Sequence, residues 1–257
     1  MSGDTITIPT ASDFHIHLRQ DAMMRMIVPR IAEGGVSLVY VMVSKPQAAN
    51  NENRASSHLQ GAVGEACSQR HLSNDIIFVS RADAGGGTPS EAGRDRGLDS
   101  HHLACSGVKS YPRGVTTNSD SGIESYEVYY PVFKTMEEEG LVLNLHGEIP
   151  SDDEKDICVM NAEERFLPHL AQLHANFPNL KIVLEHATSK AAVDMVKSLG
   201  DTVACTITIH HLQLIVDDWA GQAHHFCKPV AKYPHDRQAL REVVAEGEFE
   251  QDRNDAT

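Results

Sequence analysis

The sequence predicts an α/β fold, a (β/α)8 barrel of the TIM type in which seven strands are visible and the eighth is missing. Its 257 residues match the length of a single barrel. Short runs rich in β-branched residues alternate with longer amphipathic stretches, as expected for repeated βα units around a parallel sheet. Histidines and a lysine follow several of these runs, at the strand ends where such barrels carry their chemistry.

Seven apolar runs are predicted to be strands. Leu141 to Leu145 and Ile182 to Leu184 are nearly continuous apolar runs, which is typical of parallel strands buried on both faces. The predicted ranges are 10–17, 36–44, 76–80, 106–111, 141–147, 181–187 and 202–209.

Helices are predicted between the later strands. Asn161 and Glu164 have the spacing of a capping box, which predicts a helix that begins there and ends before Pro178. A second helix is predicted from about Ser189 to Gly200, and a third over 235–245.

Two segments depart from the βα pattern. Residues 81–104 are rich in Gly, Asp and Arg and show no helical periodicity, so we expect an irregular insert, either ordered or disordered. Residues 247–257 form an acidic tail without strand character. We therefore expect a barrel over 1–246 that lacks its last strand. Either the gene product is truncated or misread, or the chain is genuine and needs a partner to cover the gap.

Composition excludes several classes of partner. The formal charge of −14, with 36 acidic and 22 basic residues, disfavours a nucleic acid or an anionic membrane. The five cysteines are widely spaced and form no Cys-x-x-Cys motif, which favours reduced thiols in the cytoplasm. The sequence shows neither a secretory leader nor an apolar run long enough for a membrane helix.

The histidine pair His15 and His17 ends the first predicted strand. Strand residues alternate between faces, so the two imidazoles point the same way and can bind one metal ion. With 15 histidines in the chain, roughly one such spacing is expected by chance, so two unrelated histidines are the alternative. Three further candidate ligands end later runs, namely Lys109, His146 and His186.

These ligand types favour zinc, which binds imidazole nitrogen and can keep one position open for water. A cationic lysine is a poor metal ligand unless its charge is removed. Carboxylation of Lys109 by carbon dioxide would do so, giving a carbamate whose two oxygens can bridge two metals. The alternative is a lysine at the surface or in an ion pair.

Several segments resemble the dihydroorotases of the amidohydrolase superfamily, especially their monofunctional bacterial and fungal type. The resemblance covers about residues 8–50 and 106–246, with the motifs in the family's order. The segments are Asp13–Arg19, Val108–Pro112, Thr116–Ser119, Leu145–Glu148, Leu184–Thr188 and Phe226–Lys232.

The resemblance implies a hydrolase with two zinc ions. His15, His17 and carboxylated Lys109 would bind the first ion, and Lys109, His146 and His186 the second. A hydroxide between the metals would open the ring amide of dihydroorotate to N-carbamoyl-L-aspartate, and the reverse reaction serves pyrimidine biosynthesis. A homodimer would follow the habit of the family.

The resemblance also implies residues that bind the substrate. Arg19 would hold the substrate carboxylate through its planar guanidinium, with a salt bridge at the rim as the alternative. Thr116 and Thr117 match a loop that closes over the substrate, although the segment alone would indicate a polar turn. His146 and Lys228 match positions at which the family contacts the substrate, Lys228 through its backbone.

The chain departs from the family at two places. Ser44 stands where the family usually has an asparagine that binds the substrate. The 257 residues also lack the Asp-Ser-Ala-Pro-His motif of the eighth strand, whose aspartate moves the proton, so no catalytic residue is assigned. Two alternatives therefore stay open: a catalytically impaired or inactive relative that binds metal or a partner subunit, and a hydrolase of another cyclic amide.

Overall fold

The structure, a computed structural model, describes residues 7, 9–18, 21–42, 76–83, 104–115 and 122–247. The chain divides into two compact units, Met1–Lys109 and Ser110–Thr257. Within the described residues, no helix is both long enough and apolar enough to cross a membrane. The predicted barrel boundary at 246 stays a prediction, and 84–103 and 248–257 lie outside the described residues.

Within its described residues, the first unit contains three paired strands and one helix. Strands β1 and β2 are parallel, and β2 pairs with β3. The small core between strand and helix consists of buried Ile31, Val39 and Val41. The elements are β1 (Ala11–Ile16), α1 (Asp21–Glu33), β2 (Val36–Met42) and β3 (Ile76–Asp83), followed by β4 (Ala104–Ser110), which ends at the boundary of the unit.

Strand β3 corrects the prediction of an all-parallel sheet. It runs antiparallel to β2, with Leu38 opposite Asp83 and Met42 opposite Val79. It also continues to Asp83, into the segment that was predicted to be irregular from residue 81. An apolar run reads the same in either direction, so the sequence pattern predicts a buried strand without predicting its orientation.

The described part of the second unit contains three parallel strands. His146 on β5 pairs with Glu185 on β6, and Leu184 on β6 pairs with Cys205 on β7. The strands are β5 (Val142–His146), β6 (Lys181–Glu185) and β7 (Val203–Cys205), the last much shorter than predicted. The helices are α2 (Tyr130–Glu138), α3 (Ala162–Asn176), α4 (Lys190–Leu199), α5 (Val216–Trp219) and α6 (Pro234–Glu246).

Helix α3 is confirmed, but its predicted capping box is wrong. The backbone of Asn161 is helical and its side chain does not cap the helix. Its Oδ1 instead accepts a hydrogen bond from the Cys158 N–H at 2.8 Å, and its Nδ2 donates to the Asp156 carbonyl. The Asn161 side chain thus forms its hydrogen bonds with the backbone of the preceding turn rather than with the first N–H groups of the helix. Asparagine side chains often bond to nearby backbone groups in this way.

Helix α4 begins and ends as predicted. Ser189 is extended and its hydroxyl accepts a hydrogen bond from the Ala192 N–H at 3.1 Å, which satisfies one of the unpaired donors at the helix start. Gly200 follows the last residue with a φ of 83°, a conformation that favours glycine.

Close packing positions the end of β5. Leu143, Leu145 and Leu184 have no exposed surface. A Cβ on Gly147 would lie 2.3 Å from Leu184 Cδ1, well inside van der Waals contact, and Leu184 is fully buried. A side chain at residue 147 would therefore require the Leu184 side chain to shift within the core.

Buried Glu163 connects helix α3 to the turn before α4. Its Oε1 accepts a hydrogen bond from the Thr188 N–H at 2.9 Å, and the residue is 2% exposed. Burial raises the pKa of this carboxyl to about 7, although hydrogen bonds from Ser189 and Thr188 and the charge of Lys232 oppose the shift. The folded protein therefore binds a proton here that the unfolded chain releases at a lower pH.

The Glu163→Gln variant tests this burial. A raised pKa stabilises the fold below the unfolded value of 4.5, and that contribution is lost as the pH rises through 7. We expect the free energy of unfolding of the wild type, minus that of the variant, to fall by about 1 kcal/mol between pH 6 and pH 8.5 in urea denaturation. Glu164→Gln, at an exposed neighbour, serves as the control. Parallel pH profiles for wild type and Glu163→Gln would contradict the assignment.

Candidate metal centre

In the first unit, His15 and His17 lie at the end of β1 with their rings together. The Nε2 atoms are 3.2 Å apart and the ring centroids 5.1 Å apart, so the predicted shared face is confirmed. Two nitrogens bound at 2.0–2.1 Å to one tetrahedral zinc would be separated by roughly 3.3 Å. The spacing of this pair therefore fits two ligands of one ion.

The environment of His15 favours the neutral imidazole that a metal requires. Burial lowers the pKa of His15 to about 4, and the charge of Lys109 lowers it further than the nearby Asp13 raises it. Asp13 Oδ1 also accepts a hydrogen bond from the His15 N–H at 3.0 Å. At neutral pH the ring nitrogen is thus available as an electron-pair donor.

Lys109, on β4, is buried with only 6% of its surface exposed. Burial lowers the pKa of its amine well below the usual value, because an ammonium ion loses its hydration there. The uncharged amine is the form that reacts with carbon dioxide. Lys109 is therefore not a surface lysine, whereas the ion-pair alternative stays open, and burial favours the uncharged amine.

In the second unit, His146 at the end of β5 lies beside His186, which follows β6. His146 Nδ1 is 3.2 Å from His186 Nε2, again the separation of two ligands on one zinc. His186 has a φ of 45°, unusual for a residue with a side chain, and its N–H donates to Thr206 Oγ1 at 2.8 Å. Backbone strain of this kind is concentrated at functional sites.

Glu148 determines how the His146 ring is oriented. Its Oε2 lies 2.8 Å from His146 Nε2, and both side chains are almost fully buried. The carboxylate accepts the hydrogen of Nε2, which leaves Nδ1 directed at His186. A carboxylate behind a metal-binding histidine is a frequent arrangement, since it sets the tautomer and increases ligand basicity.

Lys232 lies behind Glu148. Its Nζ is 3.8 Å from Glu148 Oε1 and donates a hydrogen bond to the Val159 carbonyl. Burial lowers the pKa of Lys232, and among the carboxylates that oppose this shift Glu148 acts most strongly, ahead of Glu163 and Asp236.

The sequence analysis missed Glu148 and Lys232 as site residues. Both lie in segments that resemble the family, and the spacing of two residues between His146 and Glu148 was the available signal.

The remaining predicted residues fall into two groups. Lys228 is exposed and lines a cavity of about 160 Å³ together with Glu148 and Val159, so it lies close to the His146 pair. The other four lie outside the described residues, namely Arg19, Ser44, Thr116 and Thr117.

Comparison with known proteins identifies close relatives, although no family model matches the chain. The chain is 53% identical over 248 residues to a dihydroorotase of Mycosarcoma maydis, covering 96% of this chain and 60% of the relative. It is 43% identical to a probable dihydroorotase of Schizosaccharomyces pombe, covering 93% of this chain and 67% of that protein. The chain thus spans less than two thirds of the first of these relatives.

A solved structure agrees with these sequences. The crystal structure of dihydroorotase from Saccharomyces cerevisiae in complex with 5-fluoroorotic acid matches with a TM-score of 0.70 and 37% identity, covering 92% of this chain and 66% of that one. The predicted fold class is thereby confirmed as a partial barrel of the metal-dependent hydrolase type, to which the described residues contribute seven strands. The chain belongs to the dihydroorotase family of amidohydrolases.

Proposed function

We propose that this chain carries the metal-binding part of a zinc-dependent hydrolase that interconverts dihydroorotate and N-carbamoyl-L-aspartate in pyrimidine biosynthesis. The main support is the pair His146 and His186, whose facing nitrogens lie 3.2 Å apart with Glu148 behind one ring. The relatives named dihydroorotase support the reaction.

The proposed centre holds two zinc ions. His15 and His17 would bind one ion, His146 and His186 the other, and carboxylated Lys109 both. Bound zinc would supply a hydroxide at neutral pH, because it lowers the pKa of coordinated water. The chain's own contribution is burial, which lowers the pKa of His15 to about 4 and the pKa of the Lys109 amine well below its usual value, so that both groups bind a proton less readily.

The proposed substrate carries a carboxylate and a ring amide. The yeast relative was crystallised with 5-fluoroorotic acid, a compound of the same general kind. We assign Arg19 to the carboxylate, and Ser44, Thr116, Thr117, His146 and Lys228 to the substrate pocket, as the family resemblance implies. Lys228 is supported by its position on the cavity next to Glu148.

A second candidate function is metal binding without turnover. Zinc binding without ring opening of dihydroorotate would support this candidate, whereas turnover by the chain would exclude it. The homodimer and the cytoplasmic location stay predictions.

Replacing either ligand of the second pair tests the proposed centre. We expect His146→Ala and His186→Ala to reduce bound zinc from two ions to one, as measured by elemental analysis. Any dihydroorotate hydrolysis should fall by about 10³-fold or more, because metal catalysis supplies several kcal/mol. The exposed His224→Ala is the control. Two zinc ions retained in both ligand variants would refute the assignment.

Carboxylation of Lys109 can be observed directly. Protein exchanged into ¹³C-labelled bicarbonate should show one carbamate signal by carbon NMR, and Lys109→Met should lose both this signal and the zinc that depends on it. Lys134→Met, at an exposed helix position, should keep both. A carbamate signal that persists in Lys109→Met would place the modification elsewhere.

A further inference from the structure

We propose that Lys232 is a positioning residue of the metal centre: it holds the Glu148 carboxylate in place, and Glu148 in turn fixes the His146 ring with Nδ1 toward the metal. The inference rests on the proposed function for the presence of metal, but not on turnover.

Four side chains form a continuous series. Lys232 Nζ lies 3.8 Å from Glu148 Oε1, and the other oxygen, Oε2, lies 2.8 Å from His146 Nε2. His146 Nδ1 lies 3.2 Å from His186 Nε2. Lys232 and the imidazole thus act on opposite oxygens of one carboxylate, so a rotation of that carboxylate would change both contacts.

Burial makes this series effective. The side chains of Lys232, Glu148 and His146 are 2%, 3% and 4% exposed. Water cannot screen the attraction between ammonium and carboxylate at this depth, and removing one partner would leave a buried charge without compensation. The Lys232–Glu148 pair therefore constrains geometry far more than a surface ion pair would.

The backbone around Lys232 is fixed on both sides of its Cα. The Lys232 carbonyl accepts a hydrogen bond from the Val216 N–H at 2.8 Å, and the Ala231 carbonyl accepts one from Trp219 Nε1 at 2.7 Å. The ammonium group also donates to the Val159 carbonyl. The position of Lys232 is thus fixed by hydrogen bonds, so its ammonium group can hold the Glu148 carboxylate in one orientation.

The other buried carboxylates near Lys232 already have backbone donors. Asp236 accepts hydrogen bonds from the N–H groups of Lys190 and Tyr233, and Glu163 accepts one from Thr188. Glu148 differs from both, because its carboxylate contacts the His146 ring and Lys232. Lys232 therefore has a specific role at Glu148.

Zinc affinity measured by chelator competition at constant pH tests the proposal. We expect Lys232→Met to weaken binding of the second zinc ion by about 10- to 100-fold, the usual effect of losing a residue that supports a ligand. Glu148→Gln should have an effect of similar size. The double variant should bind as Glu148→Gln does, because Lys232 acts only through the carboxylate.

A second readout does not need metal. Histidine ¹⁵N–¹H NMR spectra of the metal-free chain should show His146 protonated at Nε2 in the wild type. Lys232→Met and Glu148→Gln should both change this signal, whereas a lysine with a purely structural role would leave it unchanged. Lys134→Met, an exposed lysine in an ion pair on α2, is the matched control.

The outcomes separate the two proposals. A wild-type chain that binds no zinc would overturn the proposed function, while the tautomer signal would still decide the role of Lys232. Wild-type affinity and an unchanged His146 signal in Lys232→Met would overturn the positioning role. If Lys232→Met does not fold, the double variant Lys232→Met/Glu148→Gln is measured instead, because it buries neither charge. A zinc affinity ten-fold below that of Glu148→Gln would then also overturn the positioning role.

Discussion

The candidate site of the second unit depends on the parallel pairing of β5 with β6. This register places His146 opposite Glu185 and so brings His186, the next residue, to the same strand edge. A shift by one residue would turn every side chain of β5 to the other face, removing Leu143 and Leu145 from the core. The packing that stabilises the strands therefore also brings the two imidazoles together.

Burying polar groups at this edge has a cost that the protein offsets locally. Glu148, Glu163, Lys232 and Asp236 are all at most 3% exposed. Each has a hydrogen-bond partner or an opposite charge, and the carboxyl of Glu163 is more easily protonated than usual. The interior is thus polar near the candidate ligands and apolar below them, as expected for a site on a rigid scaffold.

The sequence predicted the strands that carry the candidate ligands because each is an apolar run with a histidine or lysine at or near its end. It did not predict the orientation of β3, since periodicity carries no direction. Asn161 matched a capping pattern, yet its side chain serves a neighbouring turn. Lys232 could not be connected to Glu148, because their contact joins distant parts of the chain and depends on burial, which a single sequence does not report.

The backbone conformation of His186 shows that the histidine at this position is kept at a cost in stability. A φ of 45° suits glycine, so a chain selected for stability alone would discard the imidazole at this position. Selection for the candidate metal site would keep His186, whereas selection for stability would favour glycine at this position. Engineering that replaces strained residues to raise the melting temperature would select against one of the two rings that face each other at the end of the sheet.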